Sequence, residues 1–219
     1  MKPYYQDDHA TIYHGDCLKL KHLWDIADGV LLTDPPYGMN YVSNSSKYGK
    51  TDPIEGDLST TLRDGALAAW GDRPSLVFGT WRLPKPATTR HVLIWDKGEC
   101  PGMGDLSIPW GLSFEEVYVA GAGWIVPTTS KRLPNVLRYN TVPAAAMERA
   151  HPTPKPLALI HHLIERCPPL ADVVDPFMGS GTTLRAAKNL GRRSIGIEID
   201  ERYCEIAAKR LSQEVLDFG

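Results

Sequence analysis

The sequence predicts an α/β fold with an open, mostly parallel sheet and helices on both faces. The C-terminal third has the order of a βαβ unit, with a strand at 171–176, a glycine-rich turn, a helix at 182–190, a strand at 193–199 and a helix at 201–216. Short apolar stretches recur along the rest of the chain, as expected of strands that are buried on both faces. A length of 219 residues suits a single domain, 1–219.

The remaining elements follow from apolar runs and helical periodicity. Strands are predicted at 11–15, 29–34, 75–79, 91–96 and 115–121, and helices at 17–27, 59–71 and 155–166. Two segments, 38–58 and 122–154, fit no regular element. Because connections longer than about 12–15 residues are uncommon in compact domains and are often functional, we expect both segments to contact the substrate.

Composition excludes several classes of protein. The net charge is -2, with 42% hydrophobic and 23% charged residues, which are ordinary globular values and indicate no general attraction to nucleic acid. No apolar run reaches the roughly 18 residues of a membrane helix, and the N-terminus lacks the apolar segment of a signal peptide. The four cysteines and seven histidines show no metal-binding spacing. We therefore expect a cytoplasmic protein without a metal and without a membrane contact.

The motif TDPPYG at 33–38 follows an apolar strand, at the sheet edge where open α/β folds bind ligands. A plain strand-to-loop turn would also explain two consecutive prolines. The chemistry, however, suits a flat base that carries an amino group. Asp34 and the Pro35 carbonyl can accept hydrogen bonds from that group, Pro36 keeps the backbone rigid, and Tyr37 can stack on the ring.

A second motif, DPFMGSGTT at 175–183, lies between a strand and a helix. Its glycines allow close approach of a ligand to the backbone and to the helix N-terminus. It is not a phosphate-binding P-loop, because no Gly-Lys-Ser/Thr follows. Glu198 and Asp200 close the next strand, where an acidic side chain can hold ribose hydroxyls. Two surface carboxylates are the plainer alternative, but the order of the elements favours a nucleoside site.

Taken together, the two motifs resemble the DNA methyltransferases that use S-adenosylmethionine (SAM) to methylate the N6 amino group of adenine or the N4 amino group of cytosine. Since the DPPY motif precedes the glycine turn, the chain resembles the circularly permuted beta class. The resemblance implies a Rossmann-like SAM-dependent methyltransferase fold with S-adenosylhomocysteine as product. It extends over nearly the whole chain through five further segments, at 12–18, 93–105, 115–123, 151–156 and 193–211.

The resemblance also implies roles for individual residues. It assigns the catalytic pocket to Asp34, Pro35, Pro36 and Tyr37. The cofactor contacts that it implies are the adenine amino group for Asp16, the ribose hydroxyls for Glu198, and the methionine part for Phe177, Gly179 and Gly181, with Thr182 nearby. Asp175 and Asp200 are predicted to belong to the same cofactor site. Lys155 of HPTPKP would lie beside the methionine end, although Pro154 stands where the family usually has a polar residue.

We interpret the reaction as direct methyl displacement on a base flipped out of DNA, without a covalent enzyme–base intermediate. Aspartate at the first motif position favours adenine, and N4-cytosine is the alternative. A methyltransferase for RNA or for protein glutamine is disfavoured, since in those families the cofactor loop usually precedes the PPY motif. An inactive SAM-binding module is disfavoured because both motifs are intact.

The predicted DNA contacts are basic and polar side chains in the two irregular segments. Residues 128–156 contain five basic side chains against Glu148 alone, and their charge suits phosphate contacts. A solvated basic loop is the alternative. The contacts named are Lys131, Arg132 and Arg138 in a recognition segment at about 122–154, and Ser45, Lys47 and Lys50 in a loop over the flipped base. Because the recognition segment is short, we expect a short or degenerate target, or recognition shared across a homodimer.

Overall fold

The computed structural model describes residues 1–36, 60–98, 106–125, 132–141 and 155–213. In this part of the chain one sheet has the strand order β1-β2-β9-β8-β3-β4-β6-β5-β7. Its strands are β1 (Tyr5–Gln6), β2 (Ala10–His14), β3 (Gly29–Thr33), β4 (Ser75–Gly79), β5 (Thr89–Asp96), β6 (Phe114–Ala120), β7 (Val136–Arg138), β8 (Asp172–Asp175) and β9 (Ser194–Glu198). The helices are α1 (Lys21–Trp24), α2 (Thr61–Trp70), α3 (Leu157–Glu165), α4 (Thr182–Asn189) and α5 (Glu201–Ser212).

The sheet is buried on both faces, as the apolar runs predict. In β3 the side chains of Val30 and Leu32 pack in one cluster with α3 and α4, whereas Leu31, between them, packs with Trp24 of α1 and Trp70 of α2 on the other face. Strands β2, β9, β8, β3 and β4 are parallel to their neighbours in this row, and β1 and β6 are antiparallel to theirs. The predicted mostly parallel α/β fold is confirmed.

Two features differ from the sequence prediction. The helix predicted at 17–27 is only the single turn of α1, because Asp16 starts a tight turn instead: its carboxylate accepts from the Leu18 N–H at 2.9 Å and its carbonyl from the Leu20 N–H at 3.0 Å. The prediction that 122–154 lacks regular structure is wrong at β7, which pairs in parallel with β5. Only Leu137 of its three residues is buried, so no periodicity marks it.

The topology puts the two motifs side by side. After β3 the chain passes through α2 to β4, whereas after β8 it passes through α4 to β9 on the other side. The connections that leave these two adjacent parallel strands therefore diverge, and they leave a crevice at the carboxyl ends of β3 and β8. Asp34 follows β3 and the glycine turn follows β8. Within the described ranges, no helix is both long and apolar enough to cross a membrane.

Candidate active site

A buried hydrogen bond joins the two strand ends that line the crevice. The Thr33 hydroxyl donates to Asp175 Oδ1 at 2.6 Å, and the Phe177 N–H donates to the same oxygen at 3.1 Å. Burial raises the pKa of Asp175 to about 7, against the opposing effect of the hydrogen bonds from Thr33, Thr183 and the Phe177 backbone. Asp175 thus holds the start of the glycine turn against β3. Its direct contact with a cofactor stays a prediction.

This raised pKa gives a prediction for stability. Between the ordinary carboxyl pKa and about 7, the folded state holds a proton on Asp175 that the unfolded state has released, so stability falls as pH rises. We expect this single site to contribute a slope of at most about 1.4 kcal/mol per pH unit. Asp175→Asn should remove that slope, as measured by urea unfolding at pH 5, 6, 7 and 8. Parallel stability curves for the variant and the wild type would contradict the assignment.

The glycine turn is tied to the end of β9. Gly179 and Gly181 have φ angles of +50° and +77°, and Gly181 is the N-cap of α4. The Gly179 N–H donates to Glu198 Oε2 at 2.9 Å, while Glu198 Oε1 accepts from the Asp200 N–H at 2.8 Å. Burial raises the pKa of Glu198, and these backbone donors oppose the shift. The Glu198 carboxylate therefore links the glycine turn to the end of β9, the place where the sequence predicts the cofactor ribose.

Two further acidic residues flank Glu198. Asp16 follows the end of β2, whose His14 is the register partner of Glu198, and the Gly15 N–H donates to the Glu198 carbonyl at 2.8 Å. Asp200 caps α5: its carboxylate accepts from the Arg202 N–H at 2.9 Å and from the Arg202 guanidinium at 2.6 Å. Asp16 and Glu198 thus lie at the carboxyl ends of two paired strands, and their contact with a nucleoside stays a prediction.

Arg210 of α5 contacts the same turn, and no local sequence signal marked it. Its guanidinium donates to the Thr182 hydroxyl at 2.9 Å and lies 3.4 Å from the Ser180 hydroxyl. Below the turn, Gly196 of β9 makes room for Met178, since a Cβ at Gly196 would lie 2.5 Å from the Met178 sulfur. The turn is therefore held from the helix side and from the strand side.

On the other side of the crevice, Asp34 is paired with a buried lysine. Lys155 Nζ lies 2.6 Å from Asp34 Oδ2 and 3.0 Å from Glu115 Oε2, and Lys97 Nζ lies 2.6 Å from Glu115 Oε1. The Asp34 side chain keeps 32% of its surface exposed, against 11% for Lys155. Lys155 thus contacts the predicted catalytic carboxylate, whereas the resemblance had placed it beside the cofactor. Sequence reasoning missed Glu115 and Lys97, which are distant from Asp34 along the chain.

The charges in this group support one another. Burial disfavours the ammonium of Lys155, but Asp34 and Glu115 outweigh that effect and hold the pKa of Lys155 above its usual value. Burial likewise disfavours the charged form of Glu115, and the cations of Lys155 and Lys97 hold the pKa of Glu115 below its usual value. The ammonium of Lys155 also lies 4.9 Å from the ring centre of Phe78.

The predicted DNA contacts are only partly described. Arg132 is exposed, and Arg138 at the end of β7 is exposed with its Nε 3.3 Å from Asp96 Oδ2. Of the predicted catalytic residues after Asp34, Pro35 is buried and Pro36 is half-buried. Outside the described residues lie Tyr37, Ser45, Lys47, Lys50 and Lys131. The part of the chain that the structure describes contains no group of three or more side chains suited to hold a metal ion.

The open α/β sheet, with Asp34 and the glycine turn at the carboxyl ends of two adjacent parallel strands, is the fold of the class of SAM-dependent methyltransferases. Within that class, residues 69–209 match the N6/N4 DNA methylase family, and the chain belongs to this family. It is also similar to the type II methyltransferase M.ScaI of Streptomyces caespitosus, with 30% identity over 97% of this chain and 84% of M.ScaI.

Two solved structures share the fold. The M1.HpyAVI–SAM complex superposes with a TM-score of 0.65 at 24% identity, over 93% of this chain and all of the other. The cytosine-N4-specific PvuII DNA methyltransferase superposes with a TM-score of 0.70 at 17% identity, over 99% of this chain and 91% of its own. The predicted N6/N4 DNA methyltransferase family, the predicted fold and, at the level of the family, the predicted cofactor SAM are confirmed, while the assignment to the permuted beta class stays a prediction.

Proposed function

We propose that this DNA methylase transfers a methyl group from SAM to the N6 amino group of adenine in DNA. The observation that carries the proposal is the partly exposed Asp34 carboxylate, held 2.6 Å from a buried ammonium at the crevice that the glycine turn also lines. When bound, SAM would supply a methyl group activated by its sulfonium: the target nitrogen would bond to that methyl, S-adenosylhomocysteine would leave with the electrons of the broken sulfur–carbon bond, and the nitrogen would release one proton.

The chain's own residues have to make that nitrogen nucleophilic. The lone pair of an aromatic amino group is delocalised into the ring, so the nitrogen attacks poorly. Hydrogen bonds from the amino group to Asp34 and to the Pro35 carbonyl draw the nitrogen toward tetrahedral geometry and concentrate its lone pair. Pro35 and Pro36 present no backbone N–H that would compete for these acceptors. Tyr37 completes the proposal as the ring that stacks on the flipped base.

The same crevice provides the cofactor contacts. We assign the ribose hydroxyls to Glu198 and the adenine amino group to Asp16, because both carboxylates lie at the ends of the paired strands β9 and β2. We assign the methionine part of SAM to the glycine turn from Phe177 to Thr182. This turn leads into the N-terminus of α4, where no side chain caps the backbone N–H groups. Asp200, already engaged as a helix cap, contributes mainly by orienting Glu198.

The choice of adenine rests on one residue. Asp34 is an aspartate at the first motif position, which resembles the adenine enzymes more than the cytosine enzymes, many of which have serine there. N4-cytosine is the second candidate, favoured by the superposition on the cytosine-N4-specific PvuII DNA methyltransferase. Both bases present an amino group to the same acceptors.

We assign DNA binding to basic and polar side chains of the two segments that the sequence predicts to contact the substrate. Arg138 is the last residue of β7, which is parallel to β5, and 84% of its side-chain surface is exposed. Phosphates would compete with Asp96 for this guanidinium. We assign further phosphate or base contacts to Arg132, Lys131, Ser45, Lys47 and Lys50. A short recognition segment is compatible with a homodimer in which two copies share one DNA site.

The test is a digest of unmethylated DNA after incubation with the protein and SAM, with modified nucleosides identified by mass spectrometry. We expect N6-methyladenine. N4-methylcytosine would keep the mechanism and overturn the choice of base. SAM binding without any methylated nucleoside in DNA would overturn the proposal, and RNA and glutamine-containing protein are the substrates to examine next.

A further inference from the structure

We propose that Glu115, supported by Lys97, is a positioning residue that holds Lys155 against Asp34 during methyl transfer. This inference rests on the proposed function, since it assumes that Asp34 is the acceptor for the target amino group. Neither Glu115 nor Lys97 belongs to the DPPY motif or to the glycine turn. Both lie on the sheet, next to the crevice.

The four side chains form one alternating row of charges. Lys97 Nζ is 2.6 Å from Glu115 Oε1, Glu115 Oε2 is 3.0 Å from Lys155 Nζ, and Lys155 Nζ is 2.6 Å from Asp34 Oδ2. Exposure rises at the crevice end, where Asp34 keeps 32% of its side-chain surface while Glu115 keeps 20% and Lys155 11%. The row carries two positive and two negative charges, so it is neutral as a whole.

The residues of the row differ in how their backbone is anchored. Glu115 lies within β6, in register with Trp95 of β5. Lys97 directly follows β5 and its N–H donates to the Ser113 carbonyl at 2.8 Å, so both residues are anchored in the sheet. Lys155, in contrast, precedes α3 and lies outside every strand. The Lys155 ammonium contacts Asp34 at the end of a long side chain with several rotatable bonds. The contact with Glu115 ties that ammonium to strand β6.

The energetics favour a positioning role over a merely structural one. A buried ammonium is stabilised by partners on more than one side, and the removal of one partner from a buried pair leaves an uncompensated charge. Without Glu115, Asp34 is the one carboxylate of this row that still contacts the Lys155 ammonium, so the position of Lys155 relative to Asp34 is no longer fixed by the sheet. A displacement of about 1 Å at a reacting group can lower a rate by about a hundredfold. Loss of Glu115 should therefore affect the rate of the chemical step.

The experiment is a double-mutant cycle with Glu115→Gln, Lys155→Met and the double variant, using the full chain, SAM and DNA that contains the target base. We expect Glu115→Gln to lower the single-turnover methylation rate by about 10- to 100-fold, with KM for SAM changed by less than about twofold. The double variant should be no slower than Lys155→Met alone, since Glu115 acts through Lys155. Glu115→Asp should recover part of the lost rate.

The control is Glu205→Gln, which removes the exposed carboxylate of an ion pair with Lys209 on α5 and should leave the rate unchanged. If Glu115→Gln does not fold, Lys97→Met provides the same test. We expect it to lower the methylation rate by about 3- to 10-fold, a smaller effect because Lys97 contacts Lys155 only through Glu115. A wild-type rate in Glu115→Gln, or independent losses that multiply in the double variant, would overturn the inference. A wild-type protein that methylates no DNA would overturn the proposed function instead.

Discussion

Replacement of Asp34 with Asn is expected to lower the rate of methyl transfer by about a thousandfold while SAM still binds. An amide has the shape of the carboxylate but only one acceptor oxygen and no charge, so it polarises the target amino group much less. The substitution also leaves the buried Lys155 ammonium without the carboxylate that now lies 2.6 Å away. The proposed cofactor contacts lie on or directly after other strands, β2, β8 and β9, and they should remain.

Methylation of DNA with labelled SAM measures the rate, and calorimetric titration measures SAM affinity. Asp172→Asn is the matched control, because Asp172 pairs with Arg193 at 3.1 Å at the amino end of β8, the opposite edge of the sheet from the crevice. It should methylate at the wild-type rate. Asp34→Asn activity within about tenfold of the wild type would show that Asp34 is not the main acceptor for the amino group.

Replacement of Gly181 with Val is expected to weaken SAM binding by at least about tenfold. Gly181 has φ +77°, and a Cβ there would lie 2.7 Å from the Cβ of Ala207 on α5. A left-handed conformation costs a residue with a side chain roughly 1–2 kcal/mol, and overpacking costs about 1–3 kcal/mol more. The turn can relieve this strain only by moving away from α5, which displaces the N-terminus of α4 from its place at the crevice.

Gly191→Val separates the two causes. Gly191 follows the other end of α4 with a similar φ of +66°, but no atom lies within 4 Å of a Cβ placed there. This control should lose stability through backbone strain alone and should bind SAM as the wild type does. Calorimetric titration and thermal unfolding of the two variants provide the comparison. Equal SAM affinity in Gly181→Val and Gly191→Val would remove the glycine turn from the cofactor site.

The elements that could be predicted from the sequence are those with a strong local signal. Strand β3 is apolar on consecutive positions because both of its faces are buried, and the glycine turn is marked because positive φ angles select glycine. The order of β8, α4, β9 and α5 predicts a parallel sheet by itself. Asp34 and Asp16 follow strands and Glu198 ends one, so their position at one sheet edge was also predictable.

The remaining features depend on contacts between distant parts of the chain. Strand β7 exists because an edge of β5 is open to it, and its three residues are too few to show a period. The row from Lys97 through Glu115 and Lys155 to Asp34 joins residues from four separate segments, and the Arg210 contact with Thr182 joins two helices.

The fold class, the family and the two motifs could therefore be read from the amino-acid sequence, because backbone conformation and burial leave local patterns. Which charges meet depends on the folded chain. Electrostatic partners are selected by distance in space, and a lysine carries the same sequence signal whether it faces water, a cofactor or a catalytic carboxylate. For this reason Lys155 could be singled out from its motif, while its contact with Asp34 and the support of Glu115 required the folded chain.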